Sequence, residues 1–469
     1  MERSHYLPVN KQHHYNLGKV ATFLAICLLD IVLGIMANIN ILVFISGIII
    51  CLVGIIVLTR RLDWGLLIVL PASFLGRWNI STGTNVAFNL TIILLLAILG
   101  IWLLRMMIFD HKITIIYSSV NLPAILFISI QILSLINGNI HWFPQVSDKA
   151  SIFAQIGSLL LYMLSIFALL LPANLIKDLK LLFVIIWQFL ILGFIFVAGH
   201  LIPFTSRYIN HIFVSGEYLG STFWIWIVAF ATSYLLISEK KSKKTICLLL
   251  LLLAIVFYDR WFLYREWVSG WLPPLIAVMV IFWLYNWRLA LIASLAGAVI
   301  LSLQYNSLVD MLMTDTQQYS AYSRTATWPI LINLIKVNPI LGLGPGNYYY
   351  YTPLYSLLGW HVQFNSHNNY IDIVMQYGIL GLGAFTWMMV EVARIASRLI
   401  GQIQDNFSRV YVFACTGGLA GMLVSGLLGD WFLPFLYNIS TGGFRFSVLN
   451  WFFLGGLVLI DYAQSQKAI

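Results

Sequence analysis

His367 stands near the end of a long polar interruption in an otherwise apolar chain, the run NPILGLGPGNYYYYTPLYSLLGWHVQFNSHNNYIDIVMQYGILGLG from Asn338 to Gly383. The residues after it read as the start of a helix. Ser366 is in position to cap that helix, with Asn369 three positions on to support the cap. His367 then falls in the first turn, where the helix dipole disfavours an imidazolium and leaves the ring neutral and able to accept a proton. The same helix end, with its free N–H groups, suits a phosphate or another anion. The ordinary alternative is an interfacial histidine bonded to headgroups or water. His361, in plain loop sequence, has the weaker claim.

Ahead of His367, Gly342, Gly344 and Gly346 surround Pro345 in GLGPGN. The spacing fits neither a P-loop nor a dinucleotide fingerprint. It predicts a tight turn with exposed amides, either to redirect the chain or to touch a ligand. Tyr348, Tyr349, Tyr350, Tyr351, Tyr355 and Trp360 follow. Such rings form belts at membrane surfaces and also stack on sugars; composition favours the belt. Before the glycines, TATWPILINLIKVNP reads as a short amphipathic helix with Pro329 in its first turn and Pro339 ending it. Ile330, Leu331, Leu334 and Ile335 share one side, Asn333 and Lys336 the other, so the helix is expected to lie in the outer interface.

The elements that position these residues are membrane helices. The chain is 61% hydrophobic and 9% charged, with a mean hydropathy of +0.90, where a soluble domain carries about a quarter charged residues. Apolar runs long enough to cross a bilayer recur near 20–37, 41–58, 63–77, 86–104, 119–136, 151–172, 180–200, 217–238, 245–258, 268–285, 289–303, 368–390, 410–428 and 445–462. The expectation is an all-α polytopic membrane protein of about 14 transmembrane helices (12–14). The alternating segments of a membrane β-barrel are absent. Cys27, Cys51, Cys247 and Cys415 all lie in apolar runs, which argues against disulfides and metal sites. The polar N-terminal stretch has no small-residue cleavage site, so no signal peptide is expected.

A cytoplasmic N-terminus places eighteen of the twenty-six basic residues in inner loops, including Lys240, Lys241, Lys243 and Lys244. The positive-inside rule therefore selects cytoplasmic N- and C-termini. It also explains the net charge of +9 without nucleic acid. The chain divides into N-terminal helices (1–303), one long outer loop (304–366) and C-terminal helices (367–469). Arg260, Arg265 and Arg324 fall outside, on or just before that loop. Cations placed against the topology bias are explained by an anionic ligand, or by snorkelling to headgroups.

The order SRTATW, NPILGLGPGNY, HNNYIDIVMQYGILGL resembles the O-antigen ligase and O-antigen polymerase family of bacterial inner membranes. The matching residues are Arg324 and Trp328, Gly342/Gly344/Gly346 with Tyr348, His367/Asn368, and Gly378/Gly381. Family members also tend to carry an outer arginine as Ser-Arg-Gly two spans upstream. Here YDRWFLYREWVSGW stands instead, with Arg265 the better match and Arg260 the alternative. The resemblance implies a membrane glycosyltransferase of the type C class on the outer side of the cytoplasmic (inner) membrane. Its donor would be a glycan on polyprenyl pyrophosphate, usually undecaprenyl, and its acceptor a sugar hydroxyl on another lipid-linked glycan (polymerase, favoured) or on lipid A core (ligase).

Without an Asp-x-Asp motif in an outer loop, arginines take the place of a metal, and no cofactor is expected. Arg324 and Arg265 would stabilise the pyrophosphate, and His367 would remove or orient the acceptor proton. Asn368, Tyr348, Asp372, Gly344, Gly346 and Arg260 are the further substrate-binding candidates. A chain-length regulator, a flippase and membrane lipids are the implied partners. The competing readings are a lipid-linked oligosaccharide transporter, whose cations should line a central cavity, and a non-catalytic envelope scaffold.

Overall fold

The structure, a computed structural model, describes residues 61–75, 79–81, 87–146, 148–214, 220–239, 241–312 and 315–467. The spans expected at 20–37 and 41–58, with Cys27, Cys51 and Arg77, lie outside them. The chain divides into two compact units, one of residues 1–62 with 100–114 and one of residues 63–99 with 115–469. The described part of the first is the end of a membrane helix and the turn after it. The second holds the other described residues.

Chain order runs α1 (Leu62–Leu75), a two-stranded antiparallel hairpin of β1 (Asn79–Ser81) and β2 (Ala87–Asn89), α2 (Leu90–Ile108), α3 (Asn121–Asn137), α4 (Ile152–Leu175), α5 (Leu179–Leu201), α6 (Pro203–Ile212) and α7 (Gly220–Ile237). Then come α8 (Lys243–Tyr258), a single π-turn (Asp259–Leu263), α9 (Val268–Tyr285), α10 (Trp287–Leu303), α11 (Tyr305–Leu312) and α12 (Asp315–Ile335). The short α13 (Tyr348–Tyr351), α14 (Asn369–Gln402), α15 (Asn406–Leu428) and α16 (Ser440–Lys467) complete it. Among the described residues nine helices are long and apolar enough to cross a membrane, α8 with its π-turn counted as one; α1, α3 and α10 are shorter and equally apolar. Each expected span from 63 onward coincides with one of these twelve. This is an all-α polytopic membrane fold, with the small hairpin as an unexpected addition.

Local sequence sets the helix starts. Side chains of Ser151, Asp178, Ser242, Asn286, Asn368 and Asp405 each accept a hydrogen bond from the first turn of α4, α5, α8, α10, α14 and α15. Packing follows from small residues. A Cβ on Gly455 would come within 2.3 Å of the Leu169 carbonyl, so α16 and α4 touch backbone to backbone. The apolar middle of α16 is buried throughout, while its last turn is exposed.

Two expected helices differ in extent. The span expected at 368–390 continues to Gln402, because its charged residues are paired: Arg394 with Glu391, and Arg398 with both carboxylate oxygens of Asp461 on α16 at 2.7 Å. The short interfacial helix expected to start at Pro329 is the C-terminal half of α12, which begins at Asp315 and holds Pro329 in its interior. Its apolar side is the expected one. Leu331 and Leu334 are buried against Phe143, Leu343, Tyr348, Tyr351, Met375 and Phe435, with Ile330 and Ile335 beside them. Lys336 bonds to Asn333 on the other side at 2.9 Å.

Candidate active site

α14 is broken in its N-terminal third. Gly378 has φ +67° and ψ −170°, far from helical values. A break inside a membrane helix leaves carbonyl and N–H groups that must find partners. The segment 339–346 supplies them: Leu343 N–H donates to the Met375 carbonyl (2.8 Å) and Gly344 N–H to the Gln376 carbonyl (3.1 Å), while Ile379 N–H donates to the Pro339 carbonyl (2.9 Å). The glycine amides are thus buried and paired, those of Gly344 and Gly346 with α14 and that of Gly342 with the Asn338 carbonyl (3.1 Å), not exposed as the sequence suggested. Gln376 adds a hub: its Oε1 accepts from Gly346 N–H (3.1 Å) and Ser158 Oγ (2.9 Å), and its Nε2 donates to the Tyr162 hydroxyl (3.1 Å). This arrangement gives Gly344 and Gly346 a shaping part, because no polar group of theirs faces outward.

Two of the four consecutive tyrosines are not surface rings. Tyr348 and Tyr351 are buried, Tyr348 stacked on Phe435 (ring centroids 4.9 Å apart) and Tyr351 against Phe143 (4.7 Å). Their faces complete an apolar core that the loop needs in order to hold its shape. The Tyr348 hydroxyl donates to the Asp372 carboxylate and accepts from Ser366 N–H. Ser366 Oγ lies 2.7 Å from the same Asp372 oxygen. Burial and the Asp372 charge push the Tyr348 phenol well above its ordinary range, so it stays a donor. Asp372 is fully buried, and its second oxygen has no hydrogen-bond partner among the described residues.

These contacts fix the chain on which His367 sits. The helix cap is Asn368, whose Oδ1 accepts from Tyr370 N–H (2.9 Å) and Ile371 N–H (3.2 Å), not Ser366. Ser366 bonds instead to Asn368 N–H (3.0 Å) and Asp372. His367 therefore precedes the helix, in the left-handed region at φ +49°. A non-glycine residue there is strained and needs surroundings that hold it. Asn369, expected to support the cap, clamps a second segment: its Oδ1 accepts from Phe432 N–H (3.1 Å) and its Nδ2 donates to the Leu433 carbonyl (2.6 Å).

That second segment, Gly429–Ile439 between α15 and α16, is what residue typing missed. It carries Asp430 and Asn438. Asn438 Nδ2 lies 2.6 Å from Asp430 Oδ1 and 3.4 Å from His367 Nδ1. Asp430 Oδ2 accepts from Phe435 N–H at 2.9 Å. Tyr437 stacks on Tyr349 with centroids 4.8 Å apart. The signal was present: charge alternation puts 429–444 on the same side as 304–366, and Asp430 and Asn438 stand there between two apolar spans.

The arginines stand differently. Arg260, in the π-turn, is buried and ion-paired with Asp259, its guanidinium 4.1 Å from the Trp224 ring centroid and 5.3 Å from that of Trp267. Trp267 meets Trp431, the neighbour of Asp430, edge-on at 5.6 Å. Arg265 is half-buried and reaches the start of the segment after α10, donating to Gln304 Oε1 (2.8 Å) and Ser307 Oγ (3.1 Å). Arg324 lies on α12, with its side chain outside the described residues. The described contacts thus join His367, Asn368, Asp372 and Tyr348 in one network and leave Arg265 on a separate one. Residues 227–386, about a third of the chain, match a family model described as O-antigen ligase. No curated protein matches the chain.

Proposed function

We propose, from the match of residues 227–386 to a family model described as O-antigen ligase and from the many membrane-length helices, that this protein is a metal-independent glycosyltransferase acting on the outer face of the bacterial cytoplasmic membrane. The donor is a glycan on polyprenyl pyrophosphate. The acceptor is a sugar hydroxyl, first that of a second lipid-linked glycan (polymerisation) and next that of lipid A core (ligation). The acceptor oxygen bonds to the donor's anomeric carbon as the bond from that carbon to the pyrophosphate oxygen breaks, and polyprenyl pyrophosphate leaves with the electron pair. Arg324 and Arg265 stabilise the charge that develops on it. His367 meets the reacting oxygens.

The observation that carries this reading is the construction around His367, in which two outer segments, a broken helix and a strained backbone converge on one half-buried imidazole. A carrier has no need to hold a single ring so firmly. The test uses purified protein in vesicles with a lipid-linked glycan donor and counts products by gel. Wild-type protein extends or transfers the glycan in excess EDTA, and His367→Ala does not; a fully active His367→Ala would sink the assignment.

A further inference from the structure

Three short oxygen–oxygen contacts run through Asp372 and Ser366, and the hydroxyls in them carry only two protons. The Tyr348 hydroxyl meets Asp372 Oδ1. Ser366 Oγ lies 2.7 Å from the same Oδ1 and 2.8 Å from the Asn368 carbonyl oxygen. Each contact needs a proton between its two oxygens, since lone pairs facing each other at that range repel. Tyr348 Oη already accepts the Ser366 N–H (3.3 Å), and its own proton goes to Oδ1. That leaves one hydroxyl proton, on Ser366, for two contacts. The Asn368 carbonyl can only accept, so the Ser366 proton must lie toward it. Oγ then has to receive a proton from Asp372. With that proton in place Oγ is filled: it accepts from the Asn368 N–H (3.0 Å) and from Asp372, and donates to the carbonyl.

The surroundings agree with this count. Asp372, Ser366, Asn368 and Tyr348 are all buried, and among the described residues no donor reaches Asp372 Oδ2. An ionised carboxylate would hold charge on that oxygen with no hydrogen bond to meet it. The titratable groups that face Asp372 are Asp430 from the segment between α15 and α16, Tyr162 from α4, Tyr348 from α13 and Tyr377 from α14 itself. None of these four is a cation.

We propose that Asp372 is a positioning residue held as a neutral carboxylic acid, the donor that completes a chain from the Tyr348 hydroxyl through Asp372 and Ser366 to the Asn368 carbonyl. Its proton sits on Oδ1 and points at Ser366 Oγ. A carboxyl in an apolar site can be kept neutral so that it donates a hydrogen bond. Burial holds the Tyr348 phenol protonated without help from a charge on Asp372. The chain ties α13 to the backbone on both sides of His367, at Ser366 and Asn368. It also withholds a negative charge from the mouth of α14, which the anionic donor must approach on the transferase reading given above.

Infrared spectra of the purified protein in lipid vesicles at neutral pH, with 13C-aspartate labelling, read this proton directly. Wild type is expected to show a protonated-carboxyl band that moves with the label and is lost in Asp372→Asn. Should that variant not fold, Asp372→Glu keeps a carboxyl and should take the band out of the 13C-aspartate set. Finding only ionised-carboxylate bands for residue 372 overturns the proposal. Ser366→Ala removes the oxygen that receives the proton. The band should then rise in frequency, and glycan transfer should fall by about tenfold or more as the segment around His367 loosens. Ser366→Thr, which keeps the hydroxyl, should restore both. A band that stays in place in Ser366→Ala would show that the proton does not lie toward Ser366, against the proposal. Wild-type protein that transfers no glycan would instead end the transferase reading and leave the infrared result standing.

Discussion

Gly342 and Gly378 lie so close that neither can carry a side chain: a Cβ on Gly342 would stand 2.6 Å from the Gly378 amide nitrogen and as close to the Gln376 carbonyl. Both have positive φ, +73° and +67°. The glycine turn and the break in α14 are therefore one structure, formed by two segments more than thirty residues apart. What the turn does is close the hydrogen bonds that the break opens, and the break is what lets the chain carry Asn368 and His367 at the mouth of the helix.

Gly378→Ala should accordingly be among the most damaging single-methyl additions in the chain. Its Cβ would come within 2.1 Å of the Ile340 carbonyl oxygen, and its φ is unfavourable to any L-residue. A loss of more than ~3 kcal/mol is expected, read as a fall in the thermal unfolding temperature in detergent or as loss of membrane-inserted protein. Gly383→Ala, five residues on, meets nothing within 4 Å and should change stability by less than ~1 kcal/mol, in the stabilising direction. Equal damage from both would show that the close approach does not carry the fold.

The membrane plan was legible from hydropathy and charge, because each described helix long enough to span is a near-continuous apolar run. The site was legible only in part. His367 and Asn368 stood out by residue type, and Asp372 by being an acid in an apolar run. The tyrosines and glycines misled, since composition cannot tell a ring at the membrane surface from one packed on Phe435, nor an exposed amide from one paired with Met375. Asn369 was mistaken for cap support because local spacing hides a partner sixty-four residues away, the Leu433 carbonyl. Asp430 and Asn438 were passed over for the same reason. They matter only where the chain returns to His367, and a linear reading does not contain that return.

Arg260 and Arg265 should separate cleanly on substitution. Arg260→Gln leaves the Asp259 carboxylate buried without its partner, a change that costs ~3–5 kcal/mol. Adding Asp259→Asn should restore most of that stability. Among the described residues Arg265 bonds to neutral groups, Gln304 and Ser307, so Arg265→Gln should leave the unfolding temperature nearly unchanged. If Arg265 binds pyrophosphate, the same variant should raise KM for the lipid-linked donor by about 10–100-fold, the worth of a charge-assisted bond of ~1.5–3 kcal/mol. Thermal unfolding and initial rates on the same preparations decide between the two arginines. An Arg265→Gln with unchanged KM would move the pyrophosphate role elsewhere.

The orientation read from charge has its own test. Trp360, which closes a tight turn by pairing with Leu357, is 73% exposed. Ser242, at the start of α8, is also exposed, on the side assigned to the cytoplasm. In a background lacking the four native cysteines, Trp360→Cys should react with an impermeant thiol reagent added to intact cells. Ser242→Cys should react only after the membrane is opened. The reverse pattern would invert the topology and put His367 on the wrong side for an exported glycan.

Asp430 sets an expectation for pH. Burial pushes its carboxyl up to about 6, while hydrogen bonds from Phe435 and Asn438 pull the other way and limit the rise. The folded protein thus holds that proton more tightly than the unfolded chain does. Its contribution to stability is full below the ordinary carboxylate range, is lost as pH rises through about 6, and stays constant above that. Transfer should run the opposite way, since only the ionised carboxylate holds the Asn438 NH2 group against His367. Between pH 4.5 and 8, rates should climb through a midpoint near that value while this group's share of the unfolding temperature falls. Asp430→Asn should flatten both curves across the same window. A variant whose rate keeps the wild-type acid limb would show that another group titrates there, and that Asp430 does not govern the imidazole through Asn438.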